Sequence, residues 1–212
     1  MFNDIKNLLV LAPHTDDGEL GAGGTISKMI ENNVNVYYAA FSTAEASVPD
    51  GYAKDVLKTE VKKATKKLGI KEENLFIYNY EVRKLNYARQ EILEDLMSLR
   101  KKLDIDLVLM PSMRDIHQDH TTVATEGLRA FKTKTILGYE LIWNNLSFDT
   151  TCFVKLDESH VENKVNALAE YKSQNTRDYM SKEFIFSLAR VRGVQIGAAY
   201  AESFEVVRLI IN

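Results

Sequence analysis

The sequence predicts an α/β fold: a single domain, residues 1–212, built on a mostly parallel sheet covered by helices on both faces. Short apolar runs alternate with longer amphipathic ones, which is the pattern of βαβ units. Several of those short runs are apolar without interruption, as in strands buried on both faces. Only three prolines and ten glycines are spread over 212 residues, so there is no flexible linker, and no repeat or low-complexity tract divides the chain.

The elements follow from periodicity and punctuation. Leu8-Leu9-Val10-Leu11 is the first strand. Leu20 to Glu31 has helical spacing, with Ile26, Met29 and Ile30 on one face. Val34 to Phe41, rich in β-branched and aromatic residues, is the second strand. Lys54 to Leu68 is a charged amphipathic helix closed by Gly69. Leu75 to Tyr78 is a short strand and Tyr87 to Leu103 a long helix. Asp106 to Met110 is a fourth strand, stopped by Pro111, and a helix runs from about Thr122 to Phe131. Further strands are expected near Thr135–Ile142, Thr151–Leu156 and Phe204–Ile211, and helices near Ser159–Tyr171 and Ser181–Arg190.

Composition removes several functions. A net charge of −3 provides no basic field for nucleic acid or an anionic membrane surface. The early apolar run Leu8–Pro13 is far short of the ~20 residues of a spanning helix. His14, Thr15, Asp16 and Asp17 also break it as a signal-peptide core. The lone Cys152 cannot form an internal disulfide, which fits a reducing compartment. A cytoplasmic protein without membrane insertion is expected.

Three of the four histidines lie in two acidic clusters. Ala12–Glu19 (APHTDDGE) follows the first strand and Ser112–His120 (SMRDIHQDH) follows the fourth. In open α/β sheets, ligands sit outside the carboxyl ends of the strands. The fold can therefore join residues a hundred positions apart. His14 and Asp17 are three apart, as are His117 and His120 with Asp119 between them. Imidazole with carboxylate suits zinc or a similar first-row ion, and the absence of a cysteine cluster argues against a closed structural site. Adjacent Asp16 and Asp17 suggest one ligand and one general base. Taken singly, an Asp-Asp pair is a helix cap, a His-x-x-His pair is surface, and His160 is a solvated residue at a helix start. The coincidence of both clusters at strand ends favours a site. Gly21-Ala22-Gly23-Gly24 does not fit a dinucleotide turn, whose third glycine would fall at Ile26. These glycines instead allow close helix packing.

These residues resemble the LmbE-like deacetylases, the family that includes the PIG-L type N-acetylglucosaminyl deacetylases. The first motif, (A/P)-H-P-D-D-E before a glycine-rich turn, stands here as Pro13-His14-Thr15-Asp16-Asp17-Gly18-Glu19. The second, H-P-D-H, stands as His117-Gln118-Asp119-His120. Lys164–Gln174 (KVNALAEYKSQ) and Tyr200–Phe204 (YAESF) resemble two further segments, with Tyr171 where histidine is frequent. The resemblance implies a Rossmann-like three-layer sandwich. It also implies a metal, zinc or else iron or another divalent first-row ion, held by His14, Asp17 and His120. Asp16 becomes the general base, His117 the oxyanion stabiliser or proton donor, and Asp119 the residue orienting His117. Leu57, beside Lys58, stands where some members carry a substrate-contacting arginine.

The expected function is metal-dependent removal of an N-acetyl group from an amino sugar or sugar conjugate, with a small-molecule partner and room for a homo-oligomer. The alternatives are an amidase acting on another carboxamide, such as a thiol-sugar conjugate, and a non-enzymatic nucleotide- or metal-binding module. The segment Thr43–Tyr52 (TAEASVPDGY) is a candidate recognition wall, expected to meet the sugar ring. A phosphate would have to be met by Arg114, Arg177, Arg190 or Arg192.

Overall fold

The computed structural model describes residues 5–211. One seven-stranded sheet runs in the order β3-β2-β1-β4-β5-β7-β6. Its strands are β1 (Asn7–His14), β2 (Asn35–Ser42), β3 (Leu75–Ile77), β4 (Leu107–Pro111), β5 (Thr135–Tyr139), β6 (Cys152–Leu156) and β7 (Tyr200–Arg208). The first five pair in parallel, and β7 runs antiparallel between β5 and β6. β1 alternates its side chains between two cores. Leu8, Val10 and Ala12 pack under α1 (Asp17–Glu31), α2 (Val56–Leu68), α5 (Glu158–Leu168) and α6 (Lys182–Val194). Leu9 and Leu11 pack under α3 (Arg89–Lys102) and α4 (Gln118–Ala130). The expected three-layer α/β architecture is therefore present.

The differences lie at the ends of elements. β5 stops at Tyr139 because a turn takes over, in which the Asn144 and Asn145 amides donate to the Leu141 carbonyl. β7 begins at Tyr200, four residues before its expected start, and β6 and α6 hold it there. α1 and α4 begin earlier than their apolar spacing suggests, at Asp17 and Gln118, because their first turns are polar. His160 is buried rather than solvated. It sits in the first turn of α5, where its Nδ1 accepts from the Asp157 amide and its Nε2 lies 2.6 Å from Glu31.

Two features of α1 follow from its glycines. The helix kinks at Ala22 (φ −144°), and Gly21 passes so close to β5 that a Cβ there would lie 2.2 Å from the Tyr139 ring. Past the kink, the Gly24 and Thr25 amides donate to the Glu202 carboxylate at 3.0 and 2.7 Å. Lys164 completes this buried cluster at 2.8 Å from Glu202. Two segments distant in sequence, one on α5 and one on β7, thus meet to seat the helix that leaves the site.

The order of strands places the site. After β3 the chain returns to β4, on the other side of β1, so β1 and β4 flank the point where the order reverses. Crevices open at the carboxyl ends of strands at such a point. His14 ends β1, and the segment leading to α4 follows β4.

Candidate active site

Three donor atoms converge at that crevice. His14 Nδ1 lies 3.1 Å from Asp17 Oδ2, His120 Nε2 lies 3.3 Å from the same oxygen, and the two nitrogens are 3.2 Å apart. Donors bound about 2.0–2.1 Å from one tetrahedral ion are about 3.3 Å apart, so this nearly equilateral triangle fits a first-row metal. His14, His117 and His120 also form a group whose ligand atoms lie within 4.8 Å of one another. His117 nevertheless differs from the other two. It is the N-cap of α4, and its Nδ1 accepts from the Asp119 amide at 3.2 Å. In the neutral ring the proton is then on Nε2, which becomes a donor with no lone pair for a metal.

Carboxylates behind the triangle fix its histidines. Asp115 Oδ2 lies 2.8 Å from His120 Nδ1, and Asp119 Oδ2 lies 2.9 Å from His14 Nε2. Such partners set the tautomer and the ring orientation of a ligating histidine. The expectation for Asp119 is corrected here. Its carboxylate orients His14, and only its backbone amide reaches His117. An N-cap side chain is met by the amide two residues on, whose own side chain points elsewhere. Asp115 was not singled out from the sequence. The signal available for it was a carboxylate five residues before His120, in a loop already rich in ligands.

Asp16 stands outside the triangle. It occupies the N-cap position of α1, yet its side chain makes no capping bond, and it lines the cleft. Burial and the neighbouring Asp17 push its carboxyl up to about 6. Burial opposes ionisation of Asp17 too, but His120 and His14 outweigh it and hold that group well below the carboxylate range. The loop carrying both is pinned from inside. The Tyr38 and Tyr171 hydroxyls lie 2.9 and 2.7 Å from the Thr15 carbonyl, and both touch the Glu19 carboxyl. Burial raises the Glu19 carboxyl to about 8, and in its protonated form it carries one hydrogen, which it can donate to one of the two hydroxyls.

The carboxylates around the triangle favour protonated imidazoles. Burial pulls the His14 and His120 imidazoles down. Asp17 overrides it, with Asp119 beside His14 and Asp115 beside His120, raising them from 6.5 to about 9 and about 10. Groups raised on folding contribute stability that is full below about pH 6.5 and lost as pH rises through 9 and 10. The metal-free protein should therefore unfold at a lower urea midpoint at pH 9 than at pH 6.5, and metal affinity should rise over the same interval. Equal midpoints after chelation would show that the carboxylate neighbours do not favour the protonated form of these imidazoles.

The cleft, of about 300 Å³, is at the lower end of the range for small-molecule pockets, roughly 300–1,000 Å³. Besides the triangle, Asp16 and His117, its walls include Ala44, Ser47, Leu57, Arg83, Trp143 and Arg177. Part of the Thr43–Tyr52 segment is thus a wall, as expected. Of the four arginines expected to meet a phosphate, only Arg177 lines the cleft; Arg114 pairs with Asp149, Arg192 with Glu140, and Arg190 bonds the Ala199 carbonyl.

Comparison with known proteins accords with this geometry. The model of the family "PIG-L: GlcNAc-PI de-N-acetylase" matches residues 9–131, more than half of the chain. The chain belongs to the PIG-L family. The match takes in both histidine clusters and all of β1 to α4 except the first residues of β1. A curated relative is the diacetylchitobiose deacetylase of Thermococcus kodakarensis. It is 24% identical over 230 residues, covering 97% of this chain and 85% of the relative. In fold, the chain resembles N,N'-diacetylchitobiose deacetylase from Pyrococcus horikoshii (TM-score 0.80, 22% identity, 96% of this chain and 84% of that one). It equally resembles 4-carboxy-2-hydroxymuconate hydratase from Pseudomonas putida KT2440 (TM-score 0.79, 18% identity, 98% of each). The PIG-L fold thus also serves a hydratase, and the reaction has to be argued from the site. Among the described residues, no helix is long and apolar enough to cross a membrane.

Proposed function

We propose that this protein is a metal-dependent N-deacetylase acting on an N-acetylated amino sugar or sugar conjugate. The observation that carries the proposal is the triangle of His14 Nδ1, Asp17 Oδ2 and His120 Nε2 beside an Asp16 carboxyl that makes no capping bond. The PIG-L family and the deacetylase relatives support the same reading. Two imidazoles and a carboxylate suit zinc or iron. A divalent ion held there would acidify a water molecule and polarise the amide carbonyl.

The roles of the side chains follow from their surroundings. Asp16, at about 6, is poised to take a proton from the attacking water near neutral pH. His117 is lowered by burial and by the two neighbouring imidazoles, so it stays neutral and presents its Nε2–H. A fixed donor at the cleft wall stabilises the oxyanion that develops as the carbonyl becomes tetrahedral, which is usually the largest catalytic contribution. Breaking the C–N bond then requires a proton on the amine, from Asp16 or from His117.

Incubation of the metal-loaded protein with N-acetylglucosamine, its glycosides and N,N'-diacetylchitobiose should release acetate and free amine in equal amounts. Release from none of these, together with cleavage of an acylated thiol-sugar conjugate, would move the activity to the amidase class.

A further inference from the structure

The loop that carries Asp115, His117 and His120 leaves β4 at Ser112, which is buried. Its first turn is closed by the Asp115 amide, which donates to the Ser112 carbonyl at 3.1 Å. Glu205, on β7, braces that turn. Its Oε2 accepts from the Ser112 hydroxyl at 2.7 Å and from the Met113 amide at 3.0 Å. The Ser112 Oγ in turn accepts from the Arg114 amide at 3.1 Å. One carboxylate thus engages, directly or through one hydroxyl, the three residues just ahead of Asp115.

Glu205 is not on a strand next to β4. β5 lies between β4 and β7, and Glu205 pairs in register with Gly138 of β5. Its side chain reaches Ser112 by passing across that glycine. A Cβ at position 138 would lie 2.9 Å from Ser112 Cα and 3.3 Å from Glu205 Oε2, so a side chain there would block the path. A glycine inside a strand marks such a close approach. The Glu205 side chain is only 14% exposed. Hydrogen bonds to a carboxylate shielded in this way hold their geometry more firmly than exposed ones.

We propose that Glu205 is a positioning residue for the metal centre, acting through Asp115. Asp115 uses both oxygens inside the site: Oδ1 accepts from the His117 amide at 2.8 Å, and Oδ2 lies 2.8 Å from His120 Nδ1. Where that carboxylate stands is set by the turn that Glu205 holds. Glu205 therefore fixes the ring of one ligand and the start of α4 without touching substrate or ion. The proposal rests on the metal reading of the triangle and deepens it, extending the site to β7, beyond both histidine clusters.

Cobalt(II) is the probe, since its visible absorption reports the geometry of its ligands. In Glu205→Ala its dissociation constant should rise about 10-fold, the lower end for groups acting behind a ligand, with an altered absorption spectrum. Glu205→Gln, whose amide oxygen can accept both bonds, should stay within about 3-fold of wild type. A residue that only supports the fold would lower the urea midpoint of Glu205→Ala and leave cobalt affinity and spectrum unchanged, and that result overturns the proposal. If Glu205→Ala fails to fold, Ser112→Ala carries the test, because it deletes the hydroxyl between Glu205 and the Arg114 amide. Weaker cobalt binding then supports the proposal and unchanged binding overturns it. Hydrogen exchange in the metal-free protein gives a second readout, through the Asp115 and His117 amides. Both should exchange faster in Glu205→Ala, relative to the amides of β1, and return toward wild type in Glu205→Gln. Ion binding without acetate release would remove the deacetylase reading and leave the cobalt result standing. Were wild type to bind no ion, the metal reading would fall, while exchange would still decide the brace: faster exchange of both amides supports it, and unchanged rates overturn it.

Discussion

Asp16→Asn is expected to keep the fold and the metal while kcat falls by about 10²–10⁴-fold, the usual share of a general base. The amide is nearly isosteric with the carboxyl but cannot take up the proton. The substitution should be structurally quiet because the Asp16 side chain makes no capping bond to α1. It also removes a carboxyl that burial and Asp17 disfavour in its charged form, so stability at pH 7 should be unchanged or slightly higher. Elemental analysis, a urea titration and single-turnover acetate release on the same preparation separate these effects. A kcat within a few-fold of wild type, with the metal bound, would assign the proton to another group.

The second large effect is on the metal. Asp17→Ala and His120→Ala each remove one corner of the triangle and should leave far less than one equivalent of ion after dialysis. His117→Ala should retain the ion and lose turnover, because its Nδ1 is engaged by the Asp119 amide and its Nε2 carries the proton. Asp115→Asn and Asp119→Asn should fall between these extremes, weakening binding by about 10–100-fold, as expected for carboxylates that act through a ligand. Loss of the ion in His117→Ala with retention in Asp17→Ala would replace this triangle with the three-histidine set.

Much of this arrangement was legible in the sequence because it is local. Uninterrupted apolar runs such as Leu8–Leu11 marked strands buried on both faces, and two short polar clusters after such runs marked the site. Features that depend on tertiary placement were not legible. Asp119 stands between two histidines in sequence, yet its carboxylate turns to His14, 105 residues away. Arg83 belongs to no motif, and its left-handed backbone is imposed by that same carboxylate. His160 resembles any polar residue in a first helical turn until Glu31, at the end of α1, is packed against it.

The buried cluster of Glu19, Tyr38 and Tyr171 beneath the Thr15 carbonyl has a consequence for how the ion and the protein depend on each other. In a zinc finger the ion is the nucleus of the fold, and chelation unravels the chain. Here the segment from His14 to Asp17 is anchored to the protein interior by hydrogen bonds that involve no ion. The three donor groups are assembled by folding itself, so an ion bound there would meet a ready-made chelate and bear little of the entropy of gathering it. On the proposed reading, the scaffold would exchange one ion for another without passing through an unfolded state. Which ion occupied the site would then be governed by supply and donor chemistry rather than by the requirements of the fold.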